Sequence, residues 1–462
     1  MSKTPVIAIF DIGKTNKKLF LFDEHYQIVY ENTARFLETT DEDGDACENL
    51  DSLRHYLFDS LKEVLKIEKF EIRAINFSTY GASLVYLNEE GNPLLSLQNY
   101  LKQYPNKLEK QFYSAYGGKE EIVLETASPA SGSLNSGLQL YRLKYHKPAL
   151  FKKLKFALHL PQYMSYLLSE KYYSDMTSIG CHTHLWDFKK GDYHGWVYQE
   201  NLQSKLAPII SSDEVTQASF MGKKFLLGVG LHDSSAALIP YMVNFREPFV
   251  LISTGTWCIS LNPFNKTPLT AKELNNDCLA YISYQGKPVK AARLFAGNEH
   301  EQQVKRIADY FNVDSIFFKN MEFEPDIIKG LKLNGIQNLV HSNNRPIPKV
   351  SEFQFRDLTF FKNEKVAYHQ LIADLIHLQH SSTRQVISDS SIKKIFVDGG
   401  FSKNAIYMNL LAAKFSEIEV YAAGMAQATA LGTALAIHNH WNTKSLANDI
   451  IDLKYYSSSR KV

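Results

Sequence analysis

Two similar hairpins, half a chain apart, constrain the fold of this sequence more than any other feature. In the first, an apolar run over residues 6–10 leads into Asp11-Ile-Gly-Lys-Thr15, and residues 19–22 return. In the second, an apolar run over residues 249–253 leads into Thr254-Gly-Thr256, and residues 257–261 return. Two turns that both carry glycine and threonine predict a duplicated domain, in which each half offers hydroxyls and backbone N–H groups to a phosphate. We therefore expect a nucleotide between two similar halves.

The length of the chain and its last third support this prediction. The 462 residues exceed what one hydrophobic core usually organises and suit two domains of about 200 residues each. Residues 393–398 predict a strand, Gly399-Gly400 a turn, Ser402 a helix cap and residues 404–415 a helix, a unit that presents free N–H groups to a nucleotide. The sequence thus predicts an α/β protein with domains at residues 1–243 and 244–462.

Periodicity predicts further elements. Helices are expected at residues 50–67, 138–145, 163–168, 302–311 and 366–387, and a strand at residues 72–77. Residues 98–119 are polar and aromatic without clean periodicity, which predicts an irregular lobe beside the cleft. Residues 323–360 are polar and contain several prolines, which predicts loop with short strands.

Composition and charge exclude several kinds of partner. The formal net charge is +2, so no electrostatic field would recruit nucleic acid, and a small substrate is expected. The four cysteines lack Cys-x-x-Cys spacing, which argues against a disulfide framework and favours a reducing, cytoplasmic location. The apolar run that ends at Asp11 is too short for a secretory signal. Residues 421–438 are apolar but contain Gln427 and two glycines, so we expect a buried helix and no membrane partner.

Asp233 is the candidate catalytic residue. It stands between Gly228-Val-Gly230 and the small residues 234–237, where a carboxylate can open a helix and glycines let a ligand approach the backbone. The structural alternative is that Asp233 is only an N-cap. The second hairpin, which follows soon after in the chain, favours the catalytic interpretation.

Two other places carry candidate binding residues. The strand over residues 72–77 delivers Ser78-Thr-Tyr-Gly81 at its carboxyl end, where open α/β sheets bind ligands. His182, His184 and His194 lie close in sequence, but their spacing matches no standard metal site. We therefore expect substrate contacts at the first place and imidazoles bonded to backbone at the second.

With these places identified, the sequence resembles the FGGY carbohydrate kinases, and within them the rhamnulokinase branch, over nearly its whole length. The segments that carry the resemblance are DIGKTNKK at residues 11–18, STYG at 78–81, LHDS at 231–234, STGTW at 253–257 and DGGFSKN at 398–404. By this resemblance the fold is an actin-like, ribonuclease-H-like duplicated α/β domain with ATP and Mg²⁺ in the interdomain cleft.

The resemblance implies a role for each candidate residue. Asp233 would accept the proton of the attacking sugar hydroxyl, and Asp11 would hold Mg²⁺ directly or through water. The residues expected to bind ATP and its phosphates are Gly13, Lys14, Thr15, Lys18, Thr254, Gly255, Thr256, Gln302, Gly399, Gly400 and Asn404. Those expected to bind the sugar are Thr79, Tyr80, Gly81, Tyr100, Lys102, His232 and Asp233. The implied activity is phosphorylation of a ketose, a 6-deoxyketohexose such as L-rhamnulose first, with L-fuculose, another ketose or a polyol as alternatives.

Three positions depart from the family pattern. Lys14 stands where a small or hydroxyl residue is usual and adds a cation beside the phosphates. At residues 100–104 the branch has an aromatic-Arg-Asp-x-Arg run near the sugar, whereas this chain has Tyr100-Leu-Lys-Gln-Tyr104, with Lys102 in place of the carboxylate. Leu294 stands where the branch has an asparagine, although Gln302 matches. An aromatic wall favours the apolar face and methyl group of a deoxy sugar, so we expect a deoxyketose in preference to fully hydroxylated sugars.

Two other classes of protein use such a scaffold. One is a non-catalytic sugar sensor, which has no need of a base such as Asp233 in its cleft. The other is an actin-like or chaperone-like ATPase that acts on protein partners, for which we would expect a further domain that the sequence does not indicate. The carbohydrate kinase is therefore the preferred interpretation.

Overall fold

The computed structural model describes residues 3–333, 350–387, 391–424, 427–447 and 450–457. A mixed sheet forms the core of the first half. Its central strand, Thr4–Ile12, pairs antiparallel with Lys17–Asp23 and parallel with Phe70–Thr79. Residues 6–10 are fully buried, because packed helices cover both faces of this strand. The order of the strands is Val215–Phe220, Lys223–Gly228, Phe70–Thr79, Thr4–Ile12, Lys17–Asp23 and Ile28–Ala34, with Leu231–His232 beside the end of Phe70–Thr79.

A second sheet repeats this arrangement. Its central strand, Phe249–Thr254, pairs antiparallel with Cys258–Asn262 and parallel with Lys394–Gly399. The order is Cys278–Ile282, Pro288–Leu294, Cys258–Asn262, Phe249–Thr254, Lys394–Gly399, Glu419–Ala423 and Leu453–Tyr456. In both sheets a hairpin partner lies on one side of the central strand and a parallel strand, reached by a crossover, on the other. The predicted duplicated α/β fold is confirmed.

Helices and short strands complete the two halves. The helices of the first half are Leu50–Leu65, Asn106–Ala115, Lys119–Glu125, Ser136–His146, Pro148–Lys153, Leu160–Ser169, Met176–Ile179, Gly195–Gln199 and Asp233–Asn244. Those of the second half are Ala271–Asn275, Ala296–Phe311, Pro325–Leu333, Glu364–Ile387, Ala405–Lys414, Ala428–Ala436 and His438–Trp441. Paired short strands are Thr39–Thr40 with Ala46–Cys47, Leu84–Leu87 with Phe156–His159, Ser174–Asp175 with Ile209–Ile210, and Trp186–Asp187 with Asp192–Tyr193. None of the helices described is long and apolar enough to span a bilayer.

Two stretches expected to lack helices contain them. Residues 98–119 include Asn106–Ala115, which buries Leu108 and Phe112 one helical turn apart. The aromatic and polar composition of this stretch hid that period. Pro325–Leu333 begins with a proline, which is favoured in the first turn of a helix because its missing N–H would be unpaired there. The remainder of the predicted loop over residues 323–360 falls partly on residues 334–349, outside the described residues.

Two helices cross over between the sheets. Asp233–Asn244 follows the first sheet in the chain, yet its Leu238 packs in one core with Phe249 of the second sheet. Ala428–Ala436 follows the second sheet, yet its Leu431 packs in one core with Ile7 of the first. Each half therefore contributes a helix to the core of the other.

Small residues make this crossing possible. A Cβ at Gly432 would overlap the carbonyl oxygen of Ala236, so the two helices approach backbone to backbone. The β-forming residues 419–423 also predict a strand, and this prediction is confirmed, because they pair with Lys394–Gly399. The buried helix expected within residues 421–438 is therefore shorter than that stretch and is Ala428–Ala436.

Candidate active site

A cavity of about 250 Å³ lies where the two hairpins face each other. From the first half, Tyr80 and Gly81 line it beyond the end of strand Phe70–Thr79, and His232 and Asp233 line it at the start of helix Asp233–Asn244. The second half contributes Ser253, Gly255, Thr256, Trp257, Tyr281 and Arg293. The cavity thus occupies the carboxyl edge of the parallel strands, where open α/β sheets bind ligands.

Asp233 faces this cavity and does not cap its helix. The N-cap position belongs to His232, whose side chain makes no capping bond. The Asp233 carboxylate accepts a hydrogen bond from the N–H of Ser234 at 2.6 Å, and its side chain is 37% exposed. Burial within the cleft raises the pKa of Asp233 to about 6. A carboxylate of that basicity, open to a cavity, is suited to accept a proton.

Asp11 lies at the end of the central strand, within reach of the charge on Asp233. Its Oδ1 accepts a hydrogen bond from the Ser78 hydroxyl at 2.9 Å. Burial raises the pKa of Asp11 to about 6, and the negative charge of Asp233 contributes to that rise while Lys18 opposes it. A cation beside Asp11 would offset both the burial and the repulsion, and carboxylate oxygens are ligands that suit Mg²⁺.

The first hairpin places its two predicted phosphate-binding lysines differently. Lys14 lines the cavity, with its Nζ 5.9 Å from the centre of the Tyr80 ring, and pairs with Glu38 at 2.8 Å. Lys18 pairs with Glu31 at 3.4 Å and is not among the residues lining the cavity. Gly13 and Thr15 lie in the turn itself and do not line the cavity either.

The three residues of the second turn do not share one position. Gly255 and Thr256 line the cavity, and a Cβ at Gly255 would have its nearest neighbour 4.0 Å away. Thr254 is buried, and its hydroxyl donates to the carbonyl of Asp398 while accepting from the N–H of Phe401. Thr254 therefore ties the second hairpin to the glycine turn, and its hydroxyl is not free for a phosphate.

The two glycines of that turn also differ. Gly399 has a φ of 80°, and a Cβ there would overlap the carbonyl oxygen of Thr254, so only glycine fits. At Gly400 a Cβ would have no atom within 4 Å. Open space for a ligand therefore lies beside Gly400, whereas Gly399 shapes the turn.

The predicted cap at Ser402 is wrong. Ser402 lies in the short 3₁₀ helix Phe401–Lys403, and Asn404 caps Ala405–Lys414 by accepting from the N–H of Tyr407 at 2.9 Å. The Asn404 amide donates to the Tyr368 hydroxyl at 2.7 Å, so both polar atoms of its side chain are engaged within the protein.

Gln302 lies on the exposed side of helix Ala296–Phe311, where its amide donates to Asn298 at 2.9 Å. It borders an open depression separate from the cavity.

Of the predicted sugar-binding residues at 79–81, Tyr80 and Gly81 line the cavity and Thr79 does not. Thr79 is fully buried, and its hydroxyl donates to the carbonyl of Tyr80 at 2.9 Å. Tyr80 lines the cavity with its ring and donates its hydroxyl to Glu48 at 3.2 Å. A Cβ at Gly81 would lie 2.9 Å from Cδ2 of His232 and 3.2 Å from Sγ of Cys181. Gly81 therefore makes room for these two side chains, a packing reason that the sequence did not indicate.

His232 and Cys181 form a pair behind Asp233. The His232 Nε2 lies 3.0 Å from Sγ of Cys181 and 3.1 Å from Oδ1 of Asp233. Burial lowers the pKa of His232 to about 3, so its ring is neutral at physiological pH. Gly228 and Gly230, expected to admit a ligand, instead pack against Asn76 and Pro161.

Tyr100 and Lys102 are separated by the structure. Tyr100 lines the cavity, with its ring tilted against Tyr80 at 6.0 Å. Lys102 does not line it, because its Nζ is held 2.6, 2.9 and 2.8 Å from carboxylate oxygens of Asp41, Asp43 and Asp45. The expectation that Lys102 donates to sugar hydroxyls is therefore wrong, since all its protons face this acidic loop.

Arg293 is a cavity residue that sequence reasoning missed. It lies in the buried strand Pro288–Leu294, stacks on Trp257 at 5.5 Å and donates to Asp277 at 2.6 Å. Its Nε has no hydrogen-bond partner among the described residues. The available sequence signal was a charged residue, Arg293, within the β-forming stretch Pro288–Leu294, which follows the second hairpin in the chain.

The three histidines considered for a metal do not come together. His184 bonds Tyr113 and Thr126 through its two ring nitrogens, and His194 bonds Glu125. His182 alone lines the cavity. The expectation of imidazoles bonded to backbone is confirmed for His182, which bonds the carbonyl of Leu134, and for His194, which accepts from the N–H of Trp196, but is wrong for His184, whose partners are side-chain hydroxyls.

Two family models and a relative of known name match this chain. The FGGY carbohydrate kinase N-terminal domain matches residues 6–238, and the FGGY C-terminal domain matches residues 246–319. A rhamnulokinase of Halalkalibacterium halodurans is 24% identical, over 97% of this chain and 96% of that protein.

Solved structures share the whole architecture. A carbohydrate kinase from Novosphingobium aromaticivorans superposes with a TM-score of 0.79 at 21% identity, covering 99% of this chain and 95% of that one. A xylulose kinase from Lactobacillus acidophilus superposes with a TM-score of 0.77 at 15% identity, covering 98% and 94%. The fold is therefore that of sugar kinases, and the chain belongs to the FGGY family of carbohydrate kinases.

Proposed function

We propose that this carbohydrate kinase transfers the γ-phosphoryl group of ATP to a hydroxyl of a ketose, with a 6-deoxyketohexose such as L-rhamnulose as its preferred substrate. The observation that carries the proposal is Asp233, a carboxylate that faces a cavity between two phosphate-type hairpins and has a pKa raised to about 6. The rhamnulokinase relative, similar over nearly its whole length, supports the choice of sugar.

Asp233 acts as the general base. Its carboxylate accepts the proton of the sugar hydroxyl as that oxygen attacks the γ-phosphorus, and the leaving group is ADP. Because the transition state of phosphoryl transfer is loose, positioning and charge stabilisation matter more than strong basicity. The Oδ1 atom of Asp233 accepts from the N–H of Ser234 at 2.6 Å and lies 3.1 Å from Nε2 of His232, so Oδ2 remains available to a sugar hydroxyl.

The residues around the two hairpins fit ATP and Mg²⁺. Gly255 and Gly400 leave open space where side chains would otherwise stand, and Thr256 and Lys14 line the cavity beside it. Asp11 offers a carboxylate whose burial a cation would offset. Bound there, Mg²⁺ would neutralise phosphate charge. We propose that the two halves, divided near residue 243, close on the substrates and exclude water, which otherwise competes for the phosphoryl group.

The sugar lies against the aromatic wall of Tyr80, Tyr100 and Tyr281. Such a wall packs on the apolar face and methyl group of a deoxy sugar. Arg293 and His232 supply polar atoms on the same cavity surface. A hydroxyl pattern that leaves these buried groups unpaired would be rejected strongly.

A coupled ADP-release screen tests the proposal. The purified chain is given ATP and Mg²⁺ with L-rhamnulose, L-fuculose, D-xylulose, gluconate and glycerol, and kcat/KM is measured for each. The expected result is a highest value for a deoxyketose. A highest value for glycerol or gluconate would reject the sugar assignment, and no turnover with any member of a wider panel of ketoses, aldoses and polyols would reject the catalytic role of this cavity.

A further inference from the structure

The cavity wall behind Asp233 contains a cluster of soft metal ligands that the kinase reaction does not require. Cys181 and His182 follow helix Met176–Ile179, and His232 ends the short strand Leu231–His232. One ligand atom from each of the three lies within 4.8 Å of both others. All three residues are buried, and both histidines line the cavity.

We propose that Cys181, His182 and His232 form a Zn²⁺-binding site, completed by the carboxylate of Asp233, and that Zn²⁺ bound there inhibits the kinase by occupying its base. Zinc prefers four ligands of this thiolate, imidazole and carboxylate set in tetrahedral geometry. This inference goes beyond phosphoryl transfer and does not depend on the identity of the sugar.

The distances suit such a site. With Zn–S and Zn–N bonds of about 2.3 and 2.0 Å, neighbouring ligand atoms in a tetrahedron lie roughly 3.5 Å apart. The His232 Nε2 lies 3.0 Å from Sγ of Cys181 and 3.1 Å from Oδ1 of Asp233. These two contacts are therefore close to the spacing of neighbouring zinc ligands, and a ligand atom of His182 lies within 4.8 Å of those of Cys181 and His232.

The hydrogen bonds of the two histidines leave the required lone pairs. Nδ1 of His182 lies 3.0 Å from the carbonyl oxygen of Leu134, which can only accept, so Nδ1 carries the proton and Nε2 has the lone pair. A backbone carbonyl on the far nitrogen is the usual support of a metal-bound histidine. The Nδ1 of His232 is buried without a partner among the described residues. A proton placed there leaves Nε2 free to face Cys181 and the metal.

Binding changes one protonation state. The Cys181 thiol loses its proton to solvent as the Zn–S bond forms, and nothing is oxidised or reduced. Arg293 lies near both Cys181 and His182 and opposes a cation, but the new thiolate compensates its charge. Zn²⁺ bound to Oδ1 of Asp233 then withdraws the negative charge that makes the whole carboxylate basic, so Oδ2 no longer accepts the proton of a sugar hydroxyl.

Direct binding of Co²⁺ and Zn²⁺ tests the site. Co²⁺ is added to the intact protein, and the near-ultraviolet thiolate-to-cobalt band and the visible bands of tetrahedral Co²⁺ are recorded, followed by displacement with Zn²⁺. We expect one equivalent and both sets of bands. Cys181→Ser should abolish the thiolate band and weaken Zn²⁺ binding at least about 100-fold, since loss of even an outer partner of a metal ligand costs 10–100-fold. His182→Gln should weaken Zn²⁺ binding similarly, with Cys278→Ser, a cysteine buried in the second half, as the matched control.

Inhibition is measured separately, at fixed excess Mg²⁺ and relative to each variant's own rate without Zn²⁺. Inhibition should be competitive with the sugar and lost in Cys181→Ser but kept in Cys278→Ser. Unchanged Zn²⁺ affinity in both Cys181→Ser and His182→Gln would overturn the proposal and place any zinc effect at the Mg²⁺ position near Asp11. Because the optical titration needs no turnover, an inactive protein that shows the bands contradicts the proposed function and leaves this site standing.

Discussion

At the scale of single residues, Asp233 stands at the start of a helix, but its carboxylate does not occupy the N-cap position. We predict that Asp233→Asn lowers kcat about 10² to 10⁴-fold, because the amide keeps the shape and loses the basic oxygen. ATP binding, measured by its shift of the melting temperature, should persist. Asp59→Asn, on an exposed position of helix Leu50–Leu65, is the control and should match the parent. Near-normal turnover in Asp233→Asn would leave Asp233 with a structural role only.

The pH dependence follows from the same carboxylate. Asp233 and Asp11 both have pKa values raised to about 6, whereas burial lowers the pKa of His232 to about 3. The base is active when ionised, so kcat/KM should fall as the pH drops through about 6. The groups act on stability in opposite directions. The raised pKa of each carboxyl means that acidification from about 6 towards 3.8 favours the fold, whereas the lowered pKa of His232, from 6.5 to about 3, means that the unfolded state binds the proton first and acidification disfavours the fold. Circular dichroism recorded at each pH therefore separates loss of the base from loss of structure, and a flat kcat/KM profile down to pH 5 would contradict the assignment.

Lys102 does not line the cavity, so we expect it to affect sugar binding only through the segment that carries Tyr100. Its ion pairs with Asp41, Asp43 and Asp45 hold that segment beside the cavity. We predict that Lys102→Met and Tyr100→Ala both raise the sugar KM several-fold and leave the ATP KM unchanged. Lys102→Arg should keep the sugar KM close to that of the parent, since the guanidinium keeps the positive charge beside the three carboxylates. Equal changes in both KM values would indicate general loss of structure instead.

At the scale of elements, the strand–turn–helix unit at residues 394–414 separates two roles of adjacent glycines. Gly400 has a φ of −62°, which any residue adopts, and open space beside it. We predict that Gly400→Val weakens ATP binding at least tenfold without lowering the melting temperature or changing sugar binding, both measurable by thermal shift and calorimetry. Gly399→Val is the contrast, because its side chain would overlap Thr254, and should destabilise the fold. Unchanged ATP affinity in Gly400→Val would remove this turn from the nucleotide site.

The sequence predicted the type of an element correctly where one hydrophobic period, helical or strand-like, dominated. The stripe of Leu50–Leu65 and the two hairpins were predicted correctly because a buried face imposes its period on the sequence. Asn106–Ala115 was missed because only Leu108, Phe112 and Tyr113 mark its buried face, too few apolar positions to show a helical period in a polar stretch. Side-chain direction at the site was less predictable. Thr254 and Asn404 have polar groups of the right kind, yet their bonds to Asp398, Phe401, Tyr407 and Tyr368 depend on which loops meet in space.

At the scale of the whole molecule, the crossing of Asp233–Asn244 and Ala428–Ala436 joins the two halves beneath the cavity. We predict that Gly432→Ala destabilises the protein by about 1–3 kcal/mol, because its Cβ would overlap the backbone of Ala236. The melting temperature should fall by about 2 °C or more. Gly330→Ala, in helix Pro325–Leu333 with nothing within 4 Å of its Cβ, is the matched control and should be neutral or stabilising. A Gly432→Ala protein that melts with the parent would mean that the helices can separate freely.

The sequence by itself determined the duplicated α/β architecture, the family and the position of Asp233 at a helix start. These properties depend on local period, glycine turns and short motifs, which are written along the chain. Only the tertiary structure decided which candidates face the cavity. It turned Lys102 toward Asp41, Asp43 and Asp45, brought Arg293 to the cavity wall and placed Cys181 against His232. Such contacts join residues far apart in sequence, and no local pattern specifies them because they arise when separate elements pack.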